Sequence, residues 1–400
     1  MSEEVKSHHS DNLLGINILE GQQEFSSLEA DWEDLYHHCP RATPFQSWAW
    51  LYSWWEHYGE GYELRLVTLR NDKGLLVGII PLMLERRMGL GKLLFVGTGL
   101  TDYGDMLARE GWEARVAEAG RRALGQMDGW HVADLQQLRP EAAAWGVFND
   151  WPGPRTCVRQ DGCPVIDLGP WDELLMSLNQ KLRSTVRRTL RRAEADGVRR
   201  GLAGAGDAER AARKLVALHR EAWRGRDIAP EHLSQRFESH VVAAAQRMTA
   251  CGLGGISEFW RDGEVIFSGF WVFGQDFVGA YMFGALQEAF RRYQVSSFRI
   301  WDGANIAYSK EINRLDLGRG EEPYKLQWNP TVRSNYRLKF SRSLASWAPY
   351  AGYEALRSRA RRYANSESAP QWIQSAAVKY RALRRKAALR SVFGRTGKRS

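Results

Sequence analysis

Asp316, Arg319, Glu321, Glu322, Tyr324 and Lys325 crowd into the run Leu315-Asp-Leu-Gly-Arg-Gly-Glu-Glu-Pro-Tyr-Lys-Leu-Gln-Trp328. These side chains suit a substitution in which a nucleophile loses a proton as a leaving group gains one. A carboxylate takes the first proton and a phenol returns the second. Asp316 and Glu321 are therefore candidate bases, and Tyr324 is the candidate acid. Asp316 stands between Leu315 and Leu317, where burial would raise its pKa toward a useful range. Alternatively, Asp316 faces outward and caps a neighbouring loop. Lys325 is a substrate anchor, or it pairs with Glu321 or Glu322 and locks the loop.

Cations form three further groups. Lys181–Arg192 holds six basic residues and no acid, with Leu182, Val186 and Leu190 as an apolar seam. This pattern gives either a solvated face or a wall for an anionic acceptor. Arg224 and Arg226 flank Gly225 in a turn that suits a carboxylate or phosphate. Arg291 and Arg292 precede Ser296 and Ser297, which are placed to cap the next helix and to present N–H groups to an anion. His219 falls on a helical segment with Leu215, Leu218, Ala222 and Trp223, and reads more simply as a packed residue than as a base.

The elements behind these residues follow from periodicity. Leu253–Trp260, Glu264–Phe273 and Asp276–Ala285 predict antiparallel strands turned at Asp262-Gly263 and Gly274-Gln275. A helix over Ser296–Tyr308 and a strand over Arg314–Leu317 complete an α/β crossover. The first half repeats this order. A hairpin, Tyr62–Leu69 and Leu75–Leu84, and a strand at Lys92–Val96 lead to a helix over Trp112–Gln126 and a strand over His131–Leu138. At Trp50, Trp54 and Tyr58, helical spacing favours core packing over a sugar-stacking surface. Pro and Gly place the join in Asp150–Pro154 or in the turn-rich Asp161–Pro164.

The chain has 400 residues and a net charge of +9, unevenly spread. From Arg333 onward, 17 Lys/Arg face only Glu354 and Glu367, so the rest is mildly acidic. Such a basic end suits anionic lipid or another polyanion. The four cysteines lack metal or disulfide spacing, so no metal is expected. The polar amino terminus lacks the apolar core of a secretion signal, and no apolar run is long enough for a transmembrane helix. The expected location is cytoplasmic, with the basic end in peripheral contact with the inner membrane.

The ordered set of the Arg-rich helix, Leu218-His219 with Trp223, Asp262-Gly263, the following helix and Leu315–Lys325 resembles the GNAT-superfamily acyltransferases of the CelD/BcsL group. These are relatives of the Fem peptidoglycan aminoacyltransferases. The likeness covers roughly Leu178–Trp328, with one departure: Val295-Ser-Ser297 stands where the family usually has Ser-Pro-Gly. The resemblance implies an α/β (α+β) fold of tandem GNAT-like domains, with mixed, mostly antiparallel sheets flanked by helices. The expected division is a flexible 1–12, a degenerate GNAT-like 13–160, a GNAT acyltransferase domain 161–345 and a basic tail 346–400. Acetyl-CoA or another acyl-CoA is the implied cosubstrate. Its pantetheine would lie along the strand containing Gly284, and its pyrophosphate near Arg291, Arg292, Ser296 and Ser297. Asp102-Tyr103 matches an Asp-Tyr pattern of the family and is expected at the acceptor groove with Arg224, Arg226 and Lys325. The implied acceptor is a saccharide or glycolipid of cell-envelope or exopolysaccharide synthesis. The alternatives are Fem-like transfer from aminoacyl-tRNA and an idle scaffold of a polysaccharide-synthesis complex.

Overall fold

Long β-branched and aromatic runs bounded by glycine turns dictate the strands, and a computed structural model of the chain describes them over residues 13–87, 89–223 and 229–364. The expectations for residues 1–12, Arg224, Arg226 and the basic run after residue 364 lie outside the described residues. The strands are β1 (Gly15–Leu19), β2 (Glu63–Arg70), β3 (Leu76–Arg87), β4 (Leu90–Phe95), β5 (Leu107–Ala108), β6 (Val132–Leu138) and β7 (Arg155–Asp167). After these come β8 (Arg199–Leu202), β9 (Gly254–Arg261), β10 (Glu264–Phe273), β11 (Val278–Ala285), β12 (Arg314–Asp316) and β13 (Thr331–Ser341). Two compact units result. One comprises residues up to Pro164 with Gly318–Glu321 and Val332–Trp347, and the other comprises Val165–Leu317, Glu322–Thr331 and residues from Ala348.

In the first unit the strand order is β1-β2-β3-β4-β6-β13-β7, with β5 beside β3. Buried Pro81 sits in β3 between the residues that pair β5 and those that pair β4, so its missing N–H falls at a change of partner. The helix Glu113–Gln126 packs through Val116 against Gly78 and through Gly120 against Ile80. Its core joins Leu82, Leu93, Leu135, Leu338 and Phe340. β4 and β6 run parallel for two residue pairs, Lys92–Val132 and Leu93–Ala133. Beyond them the chain's own segment fills the gap. Gly104 N–H donates to Gln137 O at 3.0 Å, and a Cβ at Gly104 would lie 2.4 Å from Gln136 O and 3.1 Å from Phe95.

The second unit repeats this order. β8, β9, β10 and β11 are antiparallel neighbours, the helix Val295–Ser309 crosses over, and β12 returns parallel to β11. Val165–Asp167 then pair β12 antiparallel. The basic helix Gln180–Ala195 buries Leu182 and Val186 with Ile300 and Ala304 of the crossover helix. The helix Ala208–Ala222 lies so close to β11 that a Cβ on Gly284 would stand 2.3 Å from His219 N and 2.6 Å from the Leu218 carbonyl carbon.

Several expectations change. Asp161–Pro164, expected as a turn, lies inside β7, with Gly162 against the Glu321 side chain and Pro164 just before the pairing with β12 begins. β13 was not foreseen. The segment from residue 346, expected as tail, continues a helix, Leu344–Ala364. Gly284 is required by helix packing. Gly284→Ala is accordingly expected to destabilise the protein by at least about 1–3 kcal/mol, because the opposing atoms are main chain and cannot rotate away. Chemical denaturation measures this, and an unchanged midpoint would contradict it.

Candidate active site

The second unit holds an open fork. β11 and β12 pair only at Val278–Leu315 and Gly279–Asp316, and among the described residues Ala280–Ala285 continue with β10 as their sole strand neighbour. A buried carbonyl edge left this way needs donors from elsewhere. Arg299 of the crossover helix supplies them. Its Nη2 donates to Ala280 O at 3.0 Å on one arm and to Leu317 O at 3.3 Å on the other. Its Nη1 bonds the Tyr324 hydroxyl, and the guanidinium lies 5.0 Å from the Phe283 ring centroid and 5.8 Å from that of Tyr324. Arg299 is only 5% exposed. Sequence reasoning passed over it; the available signal was an arginine enclosed by Phe298 and Ile300 on an otherwise apolar helix.

Asp302, one turn further along that helix, is fully buried and satisfied. It pairs with Arg200 at 2.7 Å, accepts from Trp271 Nε1 at 2.8 Å and bonds Ser257 Oγ. This network ties the helix to β8, β9 and β10. Burial raises the Asp302 pKa against the pull of Arg200.

Asp316 stands at the last paired residue of the fork and is 6% exposed. Tyr324 is half-buried on the short helix Pro323–Leu326. Burial raises its pKa, partly countered by Arg299. Lys325 is buried and pairs with Glu322 at 2.9 Å, as the loop-locking reading expects. Glu321 is exposed and belongs to the first unit, where it lies against Gly162; Asp316, Tyr324 and Lys325 belong to the second.

At the start of the crossover helix the expected anion site is largely used by the protein. The helix begins at Val295, so Ser296 and Ser297 lie within it and the N-cap is Gln294. Gln294 N–H donates to Thr189 Oγ1 at 3.4 Å, and buried Ser297 bonds the Gln294 side chain at 3.0 Å. Arg292 is held by both oxygens of Asp196, which also accepts from the Tyr293 hydroxyl at 2.5 Å. These bonds hold the Asp196 carboxyl well below the usual range. Ser296 is half-buried, and Arg291 is exposed beside the exposed arginines of the basic helix.

Asp102 and Tyr103 belong to the segment that fills the first unit's gap. Asp102 accepts from Arg319 Nε at 2.7 Å, its carbonyl accepts from Asn335 at 3.1 Å, and Tyr103 O accepts from Gln46 at 2.5 Å. Their bonds fix that segment in place.

His219 donates Nδ1–H to Phe283 O at 2.7 Å, since a carbonyl can only accept. Its Nε2 is therefore the acceptor facing His232 Nδ1 at 3.1 Å. Burial first, and His232 second, push its pKa down to about 4. It props β11 as a neutral ring, as the packed-residue reading expects.

Residues 180–326 match the acetyltransferase (GNAT) domain family model. Among solved structures, a conserved protein of unknown function from Bacteroides thetaiotaomicron VPI-5482 aligns with a TM-score of 0.54 at 9% identity, covering 82% of this chain and 100% of that one. FemX aligns with a TM-score of 0.54 at 11% identity, over 81% of this chain and 96% of its own. L-PGS from Bacillus licheniformis aligns at 0.50 and 11%, over 80% and 92%. No curated protein matches the sequence. The chain thus has a GNAT acyltransferase fold with Fem-like structural neighbours, and GNAT domains generally use acyl-CoA.

Between about pH 6.5 and 4 the unfolded chain binds a proton at His219 that the folded protein refuses, so stability falls as pH drops through this window. His219→Asn, which keeps an N–H donor for Phe283 O, is expected to flatten that part of the profile. Melting temperatures against pH test this; parallel profiles would contradict it.

Proposed function

We propose that the protein transfers an acyl group from CoA to an amine or hydroxyl acceptor, with the fork of the second unit as donor site. The observation that carries this reading is the two-pair limit on β11–β12 pairing, inside the region that matches the GNAT model. A thioester arm lying along Ala280–Ala285 takes the place of the missing strand neighbour. Asp316, at the apex, accepts the proton of the attacking N–H or O–H. The acceptor atom bonds to the acyl carbon, the C–S bond breaks, and Tyr324 gives its proton to the departing thiolate. Arg291 and the exposed arginines of the basic helix are the cations left to meet the CoA phosphates, because Arg292 is committed to Asp196.

The acceptor we propose is a saccharide or glycolipid precursor of the cell envelope or exopolysaccharide, as in the CelD/BcsL group, and the support is the motif resemblance. The basic end is proposed to bring the protein to an anionic membrane surface. Among the described residues no helix is long and apolar enough to cross a membrane. The exposed cations of the Gln180–Ala195 helix favour one competing reading, aminoacyl transfer from charged tRNA.

Saturating acetyl-CoA is expected to raise the melting temperature, because a ligand that binds only the folded state stabilises it by mass action. No shift with acetyl-CoA, beside a shift with charged tRNA, would move the assignment to the competing reading. Asp316→Asn and Tyr324→Phe are each expected to lower kcat by about 10²–10⁴ with little change in melting temperature. Near-normal kcat in both would remove the fork apex from the mechanism.

A further inference from the structure

Arg299 carries a charge that no ion pair among the described residues neutralises. Three of its five N–H groups are used, on Ala280 O, Leu317 O and the Tyr324 hydroxyl, and among the described residues no carboxylate lies within ion-pair distance. The other cations that reach buried carboxylates in this unit behave differently. Arg200 meets Asp302, and Arg210 meets Glu258 through two bonds at 2.9 and 2.7 Å. A guanidinium kept out of water with only neutral partners is costly, by several kcal/mol before its hydrogen bonds are counted. Carbonyl oxygens and two aromatic faces lower that cost without supplying a negative charge.

Its position says which ligand atoms would supply that charge. Arg299 bridges the two arms immediately past their last paired residues, so it faces the inner end of whatever lies between them. On the acyl-CoA reading, on which this inference rests, the phosphates remain outside and the inner end is the acyl group. We infer that the acyl group carried by this enzyme ends in a carboxylate, a dicarboxylic acid monothioester of the malonyl or succinyl kind, and that one of the two remaining donors of Arg299, Nε–H or the second Nη1–H, reaches that carboxylate. An N–H of a guanidinium bonding a carboxylate oxygen is a charge-assisted hydrogen bond, roughly twice as strong as one between neutral groups. An acetyl group offers this charge only the neutral thioester carbonyl that every acyl-CoA shares, which gains negative charge only during attack. An aminoacyl group would bring its α-ammonium toward it, so the same charge opposes an aminoacyl donor. The transfer is the one already written: the acceptor bonds to the thioester carbon, the thiol leaves with a proton, and the distal carboxylate stays on the product.

Isothermal titration of the full chain with CoA, acetyl-CoA and succinyl-CoA tests this without knowledge of the acceptor. Succinyl-CoA is expected to bind at least about tenfold more tightly than acetyl-CoA, the least that a charged hydrogen-bonded contact contributes. Arg299→Met should remove the preference for succinyl-CoA over acetyl-CoA, and Arg299→Lys should keep part of it. Equal affinities in the wild-type chain would overturn the inference and leave the acyl-CoA reading standing. Absence of binding by all three would overturn both. If Arg299→Met fails to fold, the wild-type ratio and the Arg299→Lys chain still decide the matter.

Discussion

The brevity of the parallel pairing between β11 and β12 governs the second unit. Two residue pairs hold the strands, and after Gly279 and Asp316 each arm needs other partners for its main chain. The crossover helix meets part of that need with Arg299, and His219 meets more of it at Phe283 O. Helix, prop and arms depend on one another. The helix is held by the buried Asp302 network, and the prop requires glycine at 284, where the His219 helix touches the strand. Asp316 and Tyr324, proposed above for proton transfer, therefore sit on a frame fixed before any ligand binds, and such preorganisation is what that proposal needs.

The two units share this plan and differ in what enters the gap. In the first, β4 and β6 also pair at only two positions, but the Thr101–Met106 segment passes between their ends. Trp50 Nε1 anchors it at Thr101 and Arg319 anchors it at Asp102. In the second, a single arginine side chain occupies the apex. A side chain with unused donors can meet a ligand; a threaded main chain cannot leave without unfolding. This difference is the reason the second unit is proposed as the donor site.

Much of this was legible from sequence. Glycine turns and apolar runs placed β9, β10 and the antiparallel order, and the basic helix and β12 lay within a few residues of their observed positions. Local signals failed where long-range partners decide. Ser296-Ser297 reads as a helix cap, yet Thr189 and Gln294 hold that end and the helix starts a residue earlier. Arg292 reads as free for phosphate, but Asp196 takes it. β7 was hidden by Gly162 and Pro164, which are tolerated because Glu321 packs over one and pairing changes at the other. Arg299 was missed because burial of a cation is a property of the strands around it.

The central claim is that the open edge of β11 receives the thioester arm. Amide hydrogen exchange over Ala280–Ala285 and Leu315–Leu317, with and without saturating CoA, tests it most directly. Protection concentrated in these two segments is the predicted result. Unchanged exchange there, while CoA binding is shown independently, would contradict the account and place the donor elsewhere.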